Sequence, residues 1–347
     1  MNGQSPENIV IIGAGPAGCA AAIQLARAGG HVTIIEALDF PRHRPGETLH
    51  PGIEPLLKKL GVFDAVEAKG FRRFSGNRIS WAPNEVEFFE SFGRDEHGPW
   101  LGYQAIRSEF DSILLDVARK AGIRILQPAR VTRFVGSGAR VTGVVVNGKT
   151  IDAEWVLDAS GRNSVLEKFL RLPVSKHSDP LFARFGYVAA DGSFPSRGNP
   201  LIDRDGTGWT WIAPLSEKRI AWVRTSFSTS PVSAGWLPPL LIDHTVLNAS
   251  KGADVTWRTA DQAAGNGWML LGDAAGSLDP AASHGVLRAM MSGMQAGHLI
   301  NASRQQEITR SQASKVYSDW LKEWFHRDIE RMRELYSTGP GAAVVRA

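Results

Sequence analysis

Residues 8–36 read NIVIIGAGPAGCAAAIQLARAGGHVTIIE, and the reading of this stretch decides the fold. The first five residues, apolar without a break after Asn8, form a run of strand length that stops at Gly13. Such a run suits a strand buried on both faces of a parallel sheet. Residues 16–28 are alanine-rich with helical spacing and end at Gly29–Gly30, after which residues 31–36 read as a second strand. The turn between them, Gly13-Ala14-Gly15-Pro16-Ala17-Gly18, is a G-x-G-x-x-G motif in the strand–turn–helix setting that gives it meaning. Gly13 permits the tight turn, Gly15 lets the backbone approach a pyrophosphate, and Gly18 lets the helix pack closely on the strand. Pro16 and Ala17 open a helix whose free N–H groups and partial positive charge face the phosphates. Glu36, followed by Ala37, ends the second strand, where a carboxylate accepts hydrogen bonds from ribose hydroxyls and disfavours a 2′-phosphate.

Working outward, residues 53–60 read as a short helix, 78–89 as strand-like, and 108–121 as an amphipathic helix capped by Ser108. Residues 123–126, 131–135, 141–146 and 150–158 read as strands, the last running into Asp158-Ala159-Ser160-Gly161-Arg162. From 182 to 227 aromatic and β-branched residues alternate, as in an antiparallel sheet. Residues 268–271 read as a buried strand and 286–303 and 311–336 as helices. The expected class is α/β with an α+β substrate part. A Rossmann-type dinucleotide-binding domain (1–75, 105–175 and 260–305) would be interleaved with an antiparallel-sheet substrate domain (76–104 and 176–259). A C-terminal helical segment (306–347) would follow.

Composition removes several classes of function. Net charge is +4 and the pI about 9.3, but acidic and basic residues alternate and no basic stripe suggests nucleic acid. Glycines and charges interrupt every apolar run before membrane-spanning length, and no secretory signal opens the chain, so a cytoplasmic location without a membrane is expected. With Cys19 as the single cysteine, no intrachain disulfide or CxxC pair exists, so redox chemistry must come from a cofactor. The nine histidines show no metal-ligand spacing, and no metal is expected.

Which dinucleotide binds is read further on. Leu271-Gly272-Asp273-Ala274-Ala275-Gly276, then Asp279-Pro280 and Ser283-His284-Gly285-Val286, resembles the second flavin fingerprint of the flavoprotein hydroxylases. By that resemblance the cofactor is FAD: Gly272 and Asp273 would hold a ribityl hydroxyl, with Pro280, Ser283, Gly285 and Val286 along the flavin. A helix starting near Gly285 would aim its N–H groups at the flavin's N1/O2 edge, favouring the anionic reduced form.

The motifs together resemble the FAD-dependent monooxygenase and halogenase superfamily, with the p-hydroxybenzoate hydroxylase fold. Residues 44–62, 98–115 and 272–293 resemble a halogenase-like subgroup, some members of which install tryptophan-derived quinone cofactors in partner proteins. The resemblance implies that Arg44, Gly46, Glu47 and Thr48 lie beside the flavin and that Arg107 and Val131 contact FAD. Asp158, Ala159, Ser160 and Gly161 would border the cofactor. Ser160 stands where the single-component hydroxylases carry an aspartate, which argues against direct use of NADPH and for a separate flavin reductase. The implied activity is hydroxylation of an aromatic ring through a flavin C4a-hydroperoxide. An indole is the favoured acceptor, free or as a tryptophan of a partner polypeptide.

Two alternatives stand beside it. Tryptophan halogenases carry Trp-x-Trp-x-Ile-Pro and an essential lysine; here Trp209-Thr210-Trp211-Ile212-Ala213-Pro214 keeps the tryptophans and proline but not the isoleucine. The stretch before Trp81 holds arginine and no lysine, and arginine substitutes poorly for a reactive amine. Lys69 stays open as that lysine. Geranylgeranyl reductases share the flavin fingerprints and are the second alternative.

For proton transfer the candidates are His284, Glu47 and His50, each with a packing or loop-holding reading equally open. His43 reads as a solvated loop residue. Trp209, Trp211, Trp222, Trp257 and Trp268 read as core, whereas Trp81 and Trp100 are candidates for lining an aromatic pocket. Tyr317, Trp320, Trp324 and Phe325 mark one packed face of the last helix.

Overall fold

The strand Asn8–Ile12 lies inside a six-stranded sheet, between His31–Ile35 on one side and Trp155–Asp158 on the other, both parallel to it. Arg124–Leu126 extends the sheet beyond His31–Ile35, and Trp268–Leu270 beyond Trp155–Asp158, again in parallel; Ala264–Gly265 closes that edge antiparallel. Ile9, Val10 and Ile11 are wholly buried, as the unbroken apolar run requires of a strand covered on both faces. The order of strands reverses on passing from Asn8–Ile12 to Trp155–Asp158, and the crevice above such a reversal is where this class of sheet takes its ligand. The computed structural model describes residues 8–80, 87–192, 198–205, 207–227 and 231–337.

A second, seven-stranded sheet runs Lys251–Asp254, Phe182–Ala189, Arg219–Ser226, Gly208–Ser216, Leu201–Asp205, Gly76–Ser80, Phe88–Ser91. All its pairings are antiparallel except that of Leu201–Asp205 with Gly76–Ser80. One face, with Trp209, Trp211 and Tyr187, joins the main core of the nucleotide-binding half; the other packs Val188, Ile212, Ile220 and Trp222 under Leu241. The period-2 alternation along 182–227 produces these two apolar faces. Trp209, Trp211, Trp222, Trp257 and Trp268 are all buried.

Several local readings change. Residues 150–158 are not one strand: Lys149–Asp152 belongs to a three-stranded antiparallel sheet and Trp155–Asp158 to the central parallel one. Both halves have strand-like composition, so the break between them shows only in their partners. The helix Arg107–Lys120 is preceded by Ile106 with no side-chain cap, and Ser108 lies inside the first turn. Trp100 is 48% exposed on a small hairpin, donating to Asp95 at 3.0 Å, and so lines no buried pocket. Trp81 lies outside the described residues.

The helix Arg310–Ser337 packs beside the six-stranded sheet and ends against the seven-stranded one. Tyr317 donates to the Leu270 carbonyl at 2.8 Å and is fully buried, with Phe325 nearly so. At its far end Tyr336 receives the Trp209 indole N–H at 2.8 Å and donates to Asp279, which also accepts from Trp257 at 2.9 Å. This buried network ties the last helix to both sheets. No helix among the described residues is long and apolar enough to cross a membrane.

Candidate functional site

The turn after Asn8–Ile12 is built as a cradle. Gly13 has φ +102°, and a Cβ there would stand 2.4 Å from the Ala159 carbonyl, because the ends of two central strands touch at this point. A Cβ on Gly15 would meet only Arg42 Nη2, at 3.5 Å, so space for a ligand remains over this glycine. Glu36 is buried and fixed by two backbone donors, Ala14 N–H at 2.8 Å and Leu38 N–H at 2.9 Å.

Arg42, which no sequence motif singles out, is the buried cation of the cradle. Its side chain lies 3.9 Å from Glu36 and 3.3 Å from the fully buried Asp111, and its Nε has no hydrogen-bond partner. A buried guanidinium with an idle donor beside an open glycine turn fits a pyrophosphate. Arg44 is exposed instead. Both arginines sit in the same polar loop, and spacing alone does not say which one turns inward. Arg107 grips Asp111 through two nitrogens at 2.9 and 3.1 Å and donates to the Pro45 carbonyl at 3.0 Å, so it braces the Gly46 loop. The signal that could have found this brace is the spacing of Arg107 and Asp111, four residues apart on a helix.

Asp158 is fully buried, and its two oxygens accept from Ser160 N–H at 2.9 Å and Leu166 N–H at 2.8 Å, so it holds the turn. Ser160 likewise accepts from Val165 N–H, while Ala159 and Gly161 stand half-buried at the strand end. Gly272 is buried and Asp273 half-buried; the charge of Asp273 is felt at both Arg107 and Arg162. Gly285 starts the helix Gly285–Arg304, and a Cβ added there would meet nothing within 4 Å, so the helix N-terminus is open. Pro280 is exposed, Ser283 has φ +50°, and Val286 is buried in the core. Ala37 and Val131 are half-buried, Val131 at the start of a strand in the three-stranded sheet. Pro16, Ala17 and Gly18 are buried in the first helix, and Thr48 donates to Gln104 at 2.9 Å.

The three proton-transfer candidates divide into two groups. His50 and His284 meet, their rings 4.9 Å apart and perpendicular. His284 occupies the cap position of its helix but makes no side-chain cap bond, which removes the helix-cap reading. Its Nδ1 points to Asp328 at 3.7 Å, and Arg288 reaches the other Asp328 oxygen at 3.3 Å. Burial works against the charge on Asp328, but the bond to His284 and the charge of Arg288 hold its carboxyl below the usual range. The last helix, whose sequence signals only a packed face, thus supplies the acid that orients His284. His50 Nδ1 accepts from Gly52 N–H at 3.1 Å, so the neutral ring carries its proton on Nε2.

Burial, with His284 and Arg331 nearby, lowers the His50 imidazole to about 4. The unfolded chain therefore takes up a proton at His50 as pH falls below about 6.5, while the folded chain resists until about 4. Stability from this site is present above pH ~6.5 and is lost as pH falls through the window. We expect His50→Gln to flatten the fall of Tm between pH 6.5 and 4 relative to the parent. An unchanged slope in thermal melts across that window would reject this.

Glu47 stands apart from the histidines. It is buried, accepts from Gly46 N–H at 2.9 Å and from the Tyr187 hydroxyl, and burial pushes its carboxyl up despite these bonds. Tyr187 comes from the seven-stranded sheet, so Glu47 joins the Gly46 loop to that sheet's inner face. His43 is an exposed loop residue, as expected, but its ring still meets two aromatic rings of the seven-stranded sheet. Its ring lies parallel to Phe185 at 6.3 Å and edge-on to Tyr187 at 5.3 Å. Lys69 pairs with Glu109 on the surface at 3.1 Å, away from this face.

Comparison with known proteins places this geometry. Residues 7–310 match the family described as FAD binding domain. A tryptophan 2-halogenase of Chondromyces crocatus is 28% identical over 90% of this chain, which spans 64% of that protein's length. A flavin-dependent halogenase of Armillaria mellea is also 28% identical, over 93% of this chain and 71% of the relative. Among solved structures, the myxobacterial chondrochloren halogenase CndH superposes with a TM-score of 0.88 at 22% identity, covering 98% of this chain and 86% of CndH.

Proposed function

We propose, from the premise that this chain belongs to the FAD binding domain family and takes FAD as its cofactor, that it is a flavin-dependent halogenase of an electron-rich aromatic ring. The observation that carries this reading is the aromatic inner face of the substrate sheet, Trp211 and Tyr187, joined through Glu47 to the Gly46 loop. The halogenase relatives support it. This replaces hydroxylation as the leading reading.

Bound FAD, once reduced, supplies the electrons that activate dioxygen. The chain's own residues do the rest. Arg42 and the N–H groups at the start of the first helix would hold the pyrophosphate, Glu36 the ribose and Asp273 the ribityl chain. Buried tryptophans exclude water and orient the acceptor ring. His50, neutral at pH 7, and the Asp328-oriented His284 stand ready to move a proton.

Hydroxylation remains as a second reading because of one observation. Lys58 and Lys69 both sit in surface ion pairs, with Glu54 and Glu109, so neither serves the inner face as a reactive amine. The acceptor is proposed to be an indole, free or in a partner polypeptide, and the reductant a separate flavin reductase. The test is to supply reduced FAD, oxygen, chloride or bromide and an indole, and to read products by mass spectrometry. Halide-dependent replacement of hydrogen by halogen is expected. Addition of oxygen alone, indifferent to halide, would transfer the assignment to hydroxylation.

A further inference from the structure

On the strand Phe182–Ala189, side chains two residues apart share a face, and directly opposed residues on neighbouring strands share it too. Phe185 is opposite Lys251, Tyr187 opposite Ala221, and Ala189 opposite Arg219. Phe185, Tyr187, Lys251 and Arg219 therefore share the inner face of the seven-stranded sheet, with the exposed Lys251 and the half-buried Arg219 flanking the two rings from opposite neighbouring strands. The Arg219 guanidinium lies 5.7 Å from the centre of the Tyr187 ring. His43 closes over the same two aromatic rings from the polar loop.

We propose that this rim, His43, Arg219 and Lys251 around Phe185 and Tyr187, recognises the carboxylate of an aromatic acid. The inference rests on the reading that this face receives an aromatic acceptor, and it names the acceptor's charge.

No ion pair offsets the charge of this rim. Among the described residues, none of His43, Arg219 and Lys251 forms an ion pair, nor does their neighbour Arg44. Other basic groups of the same sheet are committed: Arg224 to Asp205 at 2.8 Å, Arg184 to the Val232 carbonyl at 2.6 Å and to Ser250 at 3.1 Å. Burial first, then the charges of Lys251, Arg219 and Arg44, depress the His43 imidazole, so these groups crowd one another. Each of these charges is felt at His43, and an anion bound between them would relieve that repulsion. Flat apolar rings beside cationic groups match a ligand with an aromatic body and an anionic tail. Tyr187 also donates to Glu47, so a ring against Tyr187 lies next to the loop braced by Arg107.

One other anion could satisfy these cations, the pyrophosphate of FAD itself, and the test separates the two. The FAD-loaded protein is titrated calorimetrically with indole-3-acetate, tryptamine and 3-methylindole, at low salt and at about 0.5 M NaCl, where charges are screened within a few ångströms. Indole-3-acetate is expected to bind at least tenfold tighter than tryptamine at low salt, with the gap narrowing at high salt. Lys251→Glu is expected to remove that preference, and Arg219→Glu with Lys251→Glu to reverse it. FAD affinity, followed by flavin fluorescence, is expected to stay unchanged in both. Equal binding of the three probes overturns the rim assignment and leaves the aromatic face standing. Failure of every probe removes the aromatic-face reading and the rim with it. Loss of FAD in the variants, with the probe preference intact, assigns the cations to the cofactor and overturns the proposal.

Discussion

Replacing Gly13 with alanine is expected to leave a colourless protein that no longer retains FAD. At φ +102° an alanine is strained by about 1–3 kcal/mol, and its methyl would sit 2.4 Å from the Ala159 carbonyl. That carbonyl cannot retreat. Ala159 follows Trp155–Asp158, which is hydrogen-bonded on both sides in the central sheet, and its own N–H donates to the Ile12 carbonyl at 2.8 Å. The loss of stability should reach roughly 3 kcal/mol, and Tm should fall by about 5 °C or more. Gly15→Ala is the control. Its methyl meets only Arg42 at an ordinary 3.5 Å, so Tm should hold while FAD affinity drops, because the methyl occupies the approach of the phosphates. A yellow Gly13→Ala protein with parental Tm would show that this turn does not form the cofactor cradle.

The second large effect is expected at Arg42. Arg42→Ala should weaken FAD binding roughly 10- to 100-fold, the worth of one or two charge-assisted hydrogen bonds in a buried setting. It should also lower Tm, since Asp111 is fully buried and would keep only Arg107 as a cation partner. Arg42→Lys restores the charge but not the planar fork, so it should recover Tm better than FAD affinity. Arg44→Ala, at an exposed position in the same loop, should affect FAD less than Arg42→Ala. Equal losses at the two positions, measured by flavin fluorescence titration, would reject the assignment of Arg42 as the buried phosphate donor.

The contrast between these two arginines shows how far local pattern reaches. The first strand, the glycine turn, the first helix and the second strand follow from an apolar run, three glycines and a helical stripe, all short-range signals. The seven-stranded sheet is legible as alternation, and the last two helices as periodicity. Residues 150–158 read as one strand because hydrogen-bond partners, not composition, distinguish two short strands from one. Asp158 reads as part of a motif bordering the cofactor, and only the fold shows that it also holds its turn through the Ser160 and Leu166 N–H groups.

Two residue types at a given spacing state what chemistry is available; they do not state which way a side chain turns. His284 is legible as a candidate, but its partners come from far along the chain: His50 lies 234 positions before it, and Asp328 arrives on a helix that ends 53 residues after it. Glu47 likewise finds Tyr187 only when the second sheet packs on the Gly46 loop. Strand and helix identity, and the binding of a dinucleotide, rest on periodicities of two to four residues and on glycine's freedom, which the chain carries locally, whereas FAD in particular rests on the resemblance of residues 271–286 to a flavin fingerprint. The inward turn of Arg42, the meeting of His50 with His284, and the unpaired basic rim depend on burial and long-range contact. Those arise only when distant segments exclude water together, and the tertiary structure alone decides them.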